Sequence, residues 1–503
     1  MSELSLKRAY RFEQPFSVGG KLRILGVLLV VSALAAIALS PGVLLQLLLM
    51  LEGLLLFRAL RHPLYAVGAL IINEVSILYY RHFFGTFEIS NRLLIAIAVV
   101  VIALLLAPTF TSKASIGPRA KYMYPPALAL LVFIVLAQIQ NVDGEELYTF
   151  MRFILTGYVA LLLIPLLVHT RDDLKRLALV VLPVLALSAL VAVMQHFWTY
   201  GLPIYETTPG AYGNWQGRSM GLNTSPIILS NVMLIAVSVF GALAFSLTLA
   251  HRWGRYFLIF AVLAGLALFF TYTRSGLYSL AAGVLVFPLL LKGHARKEVI
   301  AALLILGPVF GAFLILEETR LTLTGDSSSA GRAVLWTAGA RMALDNPLLG
   351  VGSDGFLRLA SSYGADIELP DALAAVGADE VLGRFQVHND FLHVWLSFGP
   401  GALIAYLMLL WAIVTNYYLA HKRATDPWMK GVALGLLAGT IAYVANTTSH
   451  NGFDTTILLW ILAGLSIVVL RVSGGTDDDA VGRGDADRAR FSLIRPGGSD
   501  GRA

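Results

Sequence analysis

Four segments of this chain set arginine or histidine in company that suits phosphate binding and proton transfer. They are Arg218 in GRSMGLN, Arg274 in TYTRS, Arg332 with Trp336 in GRAVLWTAG, and His388 with Asn389 and Asp390 in VHNDFL. Arginine carries a planar, permanent charge that donates paired hydrogen bonds to phosphate oxygens, and it is less strongly hydrated than an ammonium. Several arginines in one place would hold a diphosphate and stabilise the charge that builds as it departs. Histidine exchanges a proton near neutral pH, so His388 suits an incoming hydroxyl, as its base or as the group that orients it.

Each segment also has a plainer reading. Arg218 reads as a surface loop residue, and Arg274, directly after an apolar run, as a side chain snorkelling to an interface. Arg332 and Trp336, one turn apart on a helix expected over Arg332–Asp345 and closed by Asn346-Pro347, read as an interfacial anchor. His388, Asn389 and Asp390 read as a helix start, since Asn and Asp favour N-caps. A second His-Asn pair, His450-Asn451, reads first as a helix start and second as a substrate contact. Gly350, Gly352 and Gly355 lack the strand, lysine and spacing of a phosphate loop and fit a tight turn. No His-Glu-x-x-His and no clustered ligands at metal-site spacing call for a metal, and no cofactor is expected.

What must position these groups is membrane-spanning helix. The chain is 57% apolar and 14% charged over 503 residues, where soluble domains carry about 25% charged residues. The mean hydropathy is +0.75. Apolar runs recur at the length a bilayer requires, giving an all-α, polytopic membrane bundle of about fourteen spans. Leu22–Leu39 reads as a retained first span and not a signal peptide. There is no cysteine, hence no disulfide framework or thiolate nucleophile. The net charge of +6 reflects loop Lys and Arg that set orientation, not nucleic-acid binding.

Alternate loops carry Arg58 and Arg61, Lys113 and Arg119, Arg171 and Lys175, Arg252 and Arg255, Lys292 and Arg296, and Lys422 and Arg423. That alternation predicts cytoplasmic termini, with Arg81 and Arg92 as the exception on the outer side. The expected organisation is a cytoplasmic N-terminus over 1–22, eleven spans over 23–316, an extracytoplasmic loop over 317–390, three spans over 391–471 and a disordered cytoplasmic tail over 472–503. All four candidate segments then face outward. Glu52, Asn73 and Glu74 fall inside expected spans, where polar groups are costly, and either pair within the bundle or line a polar cavity.

The run Gly331-Arg332 … Trp336 … Asp345-Asn-Pro-Leu-Leu-Gly350-Val-Gly352 … Phe356, followed by His388-Asn389-Asp390-Phe-Leu, resembles the O-antigen ligase and polymerase superfamily. The Gly217-Arg218-Ser-Met-Gly-Leu and Thr273-Arg274-Ser275 segments look like that family's arginine signatures. The resemblance is specific from about Gly217 to Phe398. It implies a polytopic glycosyltransferase of the GT-C kind in the cytoplasmic (inner) membrane, its site facing the periplasm or cell exterior. The implied donor is a glycan on polyprenyl (undecaprenyl) diphosphate, and the acceptor a lipid-linked or other saccharide, with membrane lipid around both. Transfer would be inverting and metal-independent. By the same resemblance Arg218, Arg274 and Arg332 bind the donor diphosphate and His388 serves the acceptor hydroxyl, with Arg332 and His388 as the catalytic pair. Trp336, Asn389, Asp390 and His450 remain as possible substrate contacts. The competing class is a transporter or flippase of lipid-linked saccharide, which would show inverted repeats or broken spans; Asn73-Glu74 inside a span is what favours it.

Overall fold

The computed structural model describes residues 41–76, 81–84, 87–106, 120–140, 150–197, 218–223, 225–249, 251–301, 303–304, 311, 328–364, 367, 382 and 386–474. The expected first span, the parts 317–327, 365–366, 368–381 and 383–385 of the expected 317–390 loop, and the tail from 475 onward lie outside the described residues.

Apolar sequence becomes helix here, because a backbone in hydrocarbon must satisfy its own N–H and C=O groups. In chain order the elements are α1 (Pro41–Ala59), α2 (Leu64–Ser76), an antiparallel hairpin of β1 (Arg81–Phe84) and β2 (Phe87–Ser90), α3 (Asn91–Leu106) and α4 (Ala120–Gln140). A π-helical turn at Phe150–Leu155 leads into α5 (Thr156–Leu167), followed by α6 (Arg171–Phe197), α7 (Pro226–Ser246), α8 (Arg252–Phe270), α9 (Arg274–Val284) and α10 (Val286–Leu290). The last five are α11 (Ser328–Asp345), α12 (Gly355–Gly364), α13 (Asp390–Arg423), α14 (Pro427–Thr447) and α15 (Leu458–Ser473).

Among the described residues six helices are long and apolar enough to cross a membrane: Tyr122–Gln140 of α4, and α6, α7, α8, α13 and α14. Further apolar helices are shorter, at 10–17 residues, among them α2, α5 and α15. One expected span, 276–291, is broken at Leu285 into α9 and α10. Pro288 lacks the N–H that would bond Val284 and its ring crowds that carbonyl.

The bundle closes where small residues let backbones meet. Gly431, Gly435 and Gly439 run along one face of α14, and a Cβ at Gly435 would lie 2.5 Å from Val239 Cα of α7. Such stripes are how membrane helices gain close van der Waals packing. At one end the same pair is tied by Asn446 Nδ2, which donates to Asn231 Oδ1 at 2.7 Å. At the other end of α14, its N-cap Asp426 forms an ion pair with Arg171 of α6.

The longest helix, α13, is kinked at Gly399 (φ 85°) before Pro400. Proline at 400 cannot donate to the Leu396 carbonyl four residues back. That carbonyl accepts from Val351 N–H at 2.9 Å, and Ser397 O from Gly352 N–H at 3.0 Å. Gly350 and Gly352 have φ of 67° and 83°, and a Cβ on Gly350 would lie 2.4 Å from Leu396 O. The glycine turn is therefore a docking device, seated on the carbonyls that the kink exposes. A satellite core of Val334, Leu335, Ala338, Met342, Val351, Phe356, Val387 and Leu396 fixes α11 and α12 against the first arm of α13.

Candidate functional site

Arg218 is held by the end of α8. Its Nε donates to Thr271 O at 2.6 Å and its Nη2 to Thr273 Oγ1 at 2.9 Å, while Ser219 N–H reaches Phe270 O at 2.9 Å. A guanidinium there faces the electronegative C-terminus of a helix. Thr273 is also the N-cap position of α9, whose first residue is Arg274, so two of the expected arginines meet at one helix junction. The loop after Arg218 is clamped by α6. Gln195 Oε1 accepts from Met220 N–H at 3.0 Å and Gly221 N–H at 2.8 Å, and Ser188 Oγ accepts from Leu222 N–H at 3.3 Å. Gly221 has φ of 58°, and a Cβ there would lie 2.8 Å from Ser188 Oγ. Glutamine and serine inside the apolar run of α6 were the available signal for this clamp, and the sequence reading passed over them.

His388 adopts a left-handed backbone, φ 51°, immediately before α13. Asn389 is the N-cap of that helix, its side chain accepting from Leu392 N–H at 3.1 Å. Asp390, fully buried, accepts from Gly452 N–H at 2.7 Å and Phe453 N–H at 3.0 Å through Oδ1, and Tyr406 hydroxyl reaches its Oδ2 at 3.5 Å. Asn451 Oδ1 in turn accepts from Asn389 N–H at 3.0 Å. These bonds bind the 388–390 segment to the 450–453 segment, giving Asn389 and Asp390 duties inside the protein.

That lock brings the two histidines together. The rings of His388 and His450 lie 6.1 Å apart, centroid to centroid, in an edge-to-face arrangement. Both residues lie outside the spans. Burial, with the nearby Arg332 charge, pushes the His388 pKa down to about 4. Burial lowers His450 well below the ordinary histidine value, followed by the charges of Arg332, His388 and Arg218. Arg332 of α11 thus bears on both rings and Arg218 on one, and both imidazoles rest neutral at pH 7. Trp336, one turn on from Arg332, is 36% exposed.

Beneath the lock lie two pairs that sequence reading did not connect. His393 Nε2 is 3.3 Å from Asp454 Oδ2. Glu74 of α2 meets Arg92 of α3 at 2.8 Å, both side chains at 0% exposure, and Glu74 Oε1 accepts from Ile457 N–H at 2.8 Å. Arg92 also sits over the Phe153 ring at 4.6 Å. Arg92, one of the two arginines that break the loop-charge alternation, is thus the buried partner of the glutamate that suggested a transport path. The pair braces the segment leading from His450 to α15.

The arrangement can therefore hold a polyanion against arginine and offer neutral imidazole to a hydroxyl proton beside it. Residues 259–407 match the family described as O-antigen ligase. The match takes in Arg274, Arg332, Trp336, His388, Asn389 and Asp390, and leaves Arg218 and His450 outside it. No curated protein matches the chain.

Proposed function

From residues 259–407, whose match supports the O-antigen ligase and polymerase superfamily, we propose that this membrane protein transfers a glycan from a polyprenyl-diphosphate donor to an acceptor hydroxyl on the extracytoplasmic side. Membrane enzymes of that family work on lipid-linked saccharides in general. The observation that carries the reading further is the placement of His388 under the charge of Arg332 and 6.1 Å from His450.

The acceptor oxygen attacks the anomeric carbon of the donor sugar while the bond from that carbon to the diphosphate oxygen breaks. The electron pair leaves with the diphosphate, and the hydroxyl proton passes to His388. Arg218, Arg274 and Arg332 stabilise the departing charge. One displacement inverts the anomeric configuration. Substrate loading also tunes the base. A bound diphosphate offsets the Arg332 charge that depresses His388, so its pKa rises once the donor is in place.

On this reading both termini are cytoplasmic, 317–390 faces outward, and the 472–503 tail is cytosolic. A cysteine placed at Ser328 then reacts with an impermeant maleimide in intact spheroplasts. The deciding experiment offers purified protein an undecaprenyl-diphosphate oligosaccharide together with a membrane glycolipid extract. Transfer with inverted anomeric configuration, unchanged by EDTA, is expected. Movement of the donor across vesicles without transfer, or retention of configuration, refutes the proposal.

A further inference from the structure

His450 lies outside the matched region and is 4% exposed. Neither of its ring nitrogens has a hydrogen-bond partner among the described residues. An imidazole carries one donor and one acceptor in its neutral form, and leaving both unmatched in a buried site is costly. The ring is also not placed by chance packing. Three backbone N–H groups fix its segment to that of His388, those of Asn389, Gly452 and Phe453. Glu74 holds the far end through Ile457 N–H. A rigid, buried imidazole set edge-to-face against His388 is built to meet a polar ligand at the place where His388 works.

We propose that His450 is a second substrate-contacting residue of this site, hydrogen-bonding a neighbouring oxygen of the acceptor sugar while His388 serves the reacting hydroxyl. This rests on the glycosyltransferase reading. It narrows the acceptor class to saccharides that offer two adjacent oxygens, against a lone hydroxyl such as that of serine or threonine. Two imidazoles 6.1 Å apart span a pair of neighbouring sugar oxygens, each reached by one hydrogen bond of ordinary length. Neutral rings suit the task, since each presents a donor and an acceptor to a hydroxyl that is also both.

The test uses the full chain with an undecaprenyl-diphosphate oligosaccharide as donor. Acceptors are octyl glucoside, octyl galactoside and octyl N-acetylglucosaminide, the mono-deoxy analogues of the best of these, and a serine- and threonine-containing peptide. In the wild type one deoxy analogue raises the acceptor KM about tenfold, the usual worth of one hydrogen bond. His450→Phe raises the KM of the parent acceptor by a similar factor, leaves the donor KM within threefold, and no longer distinguishes that deoxy analogue. His450→Gln, which keeps a donor and an acceptor, recovers most of the loss. If His450→Phe does not fold, the deoxy series in wild type and His450→Gln still decides. Undiminished discrimination in the variant, a change confined to the donor KM, or preference for the peptide overturns the proposal while leaving glycan transfer standing. Absence of transfer by wild-type protein to any acceptor overturns both.

Discussion

The chain writes His-Asn twice, at 388–389 and at 450–451, and the structure uses the two copies differently. The first stands at the head of α13, where Asn389 caps the helix and His388 takes a left-handed backbone. That conformation is uncommon in a non-glycine residue, and such strain gathers at functional sites. The second copy starts no helix directly. Its Asn451 spends Oδ1 on Asn389 N–H, and its segment is gripped by the Asp390 carboxylate and, further on, by Glu74. One copy is organised by its own helix and the other by the side chains of Asp390 and Glu74, which accept from N–H groups 62 and 383 residues away in sequence. A dipeptide therefore reveals its chemistry locally and its placement only through long-range partners.

The largest difference between the copies should appear in rate. A general base is worth about 10²–10⁴-fold, so His388→Ala loses transfer by that factor while inserting and melting like the wild type. His450 substitutions cost about tenfold, the worth of one hydrogen bond. Comparable losses at the two positions, read as kcat/KM in the purified enzyme, would erase the distinction between base and sugar contact.

The same contrast sets how the site responds to pH. His388 has its pKa lowered to about 4 by burial and by Arg332, so its base form is present above that value and is lost as pH falls through it. The acid limb of kcat/KM for the donor, which reports the free enzyme, lies near pH 4. The limb of kcat lies higher, because bound diphosphate offsets the Arg332 charge. Arg332→Gln should move the kcat/KM limb upward toward the ordinary histidine value near 6.5, and a limb that stays near pH 4 in that variant would show that Arg332 does not act on His388.

Much of this was legible residue by residue. Arginine and histidine in segments that join the helices, and helices from apolar runs, follow from composition and span length. Asn389 as a cap follows from residue type. The glycines of 350–355 announce a turn, but its seat on α13 depends on a carbonyl that Pro400 leaves open across a gap of some 45 residues in sequence. Arg92 shows the limit best. By position it read as a misplaced loop charge, whereas Glu74 buries it as an ion pair, and no periodicity or charge count announces which two costly residues will meet. Gln195 and Asp390 are of the same kind, since their value lies in backbone N–H groups brought by loop segments distant in sequence.

The smallest effect tests the lock itself. Asn451 is 7% exposed and its Oδ1 is the acceptor for Asn389 N–H at 3.0 Å. Asn451→Ala deprives that N–H of its partner at the point where α13 begins. An unsatisfied buried donor costs about 1–3 kcal/mol, and the low end applies here because the Asp390 bonds to Gly452 and Phe453 remain. Asn451→Ala should therefore lower the melting temperature by a few degrees in detergent and raise the acceptor KM by about threefold, as the His450 ring gains freedom relative to His388. Asn451→Asp keeps an acceptor at the same place and should recover the stability. A melting temperature and acceptor KM that both stay at wild-type values in Asn451→Ala would mean that the two His-Asn segments are held together by Asp390 alone.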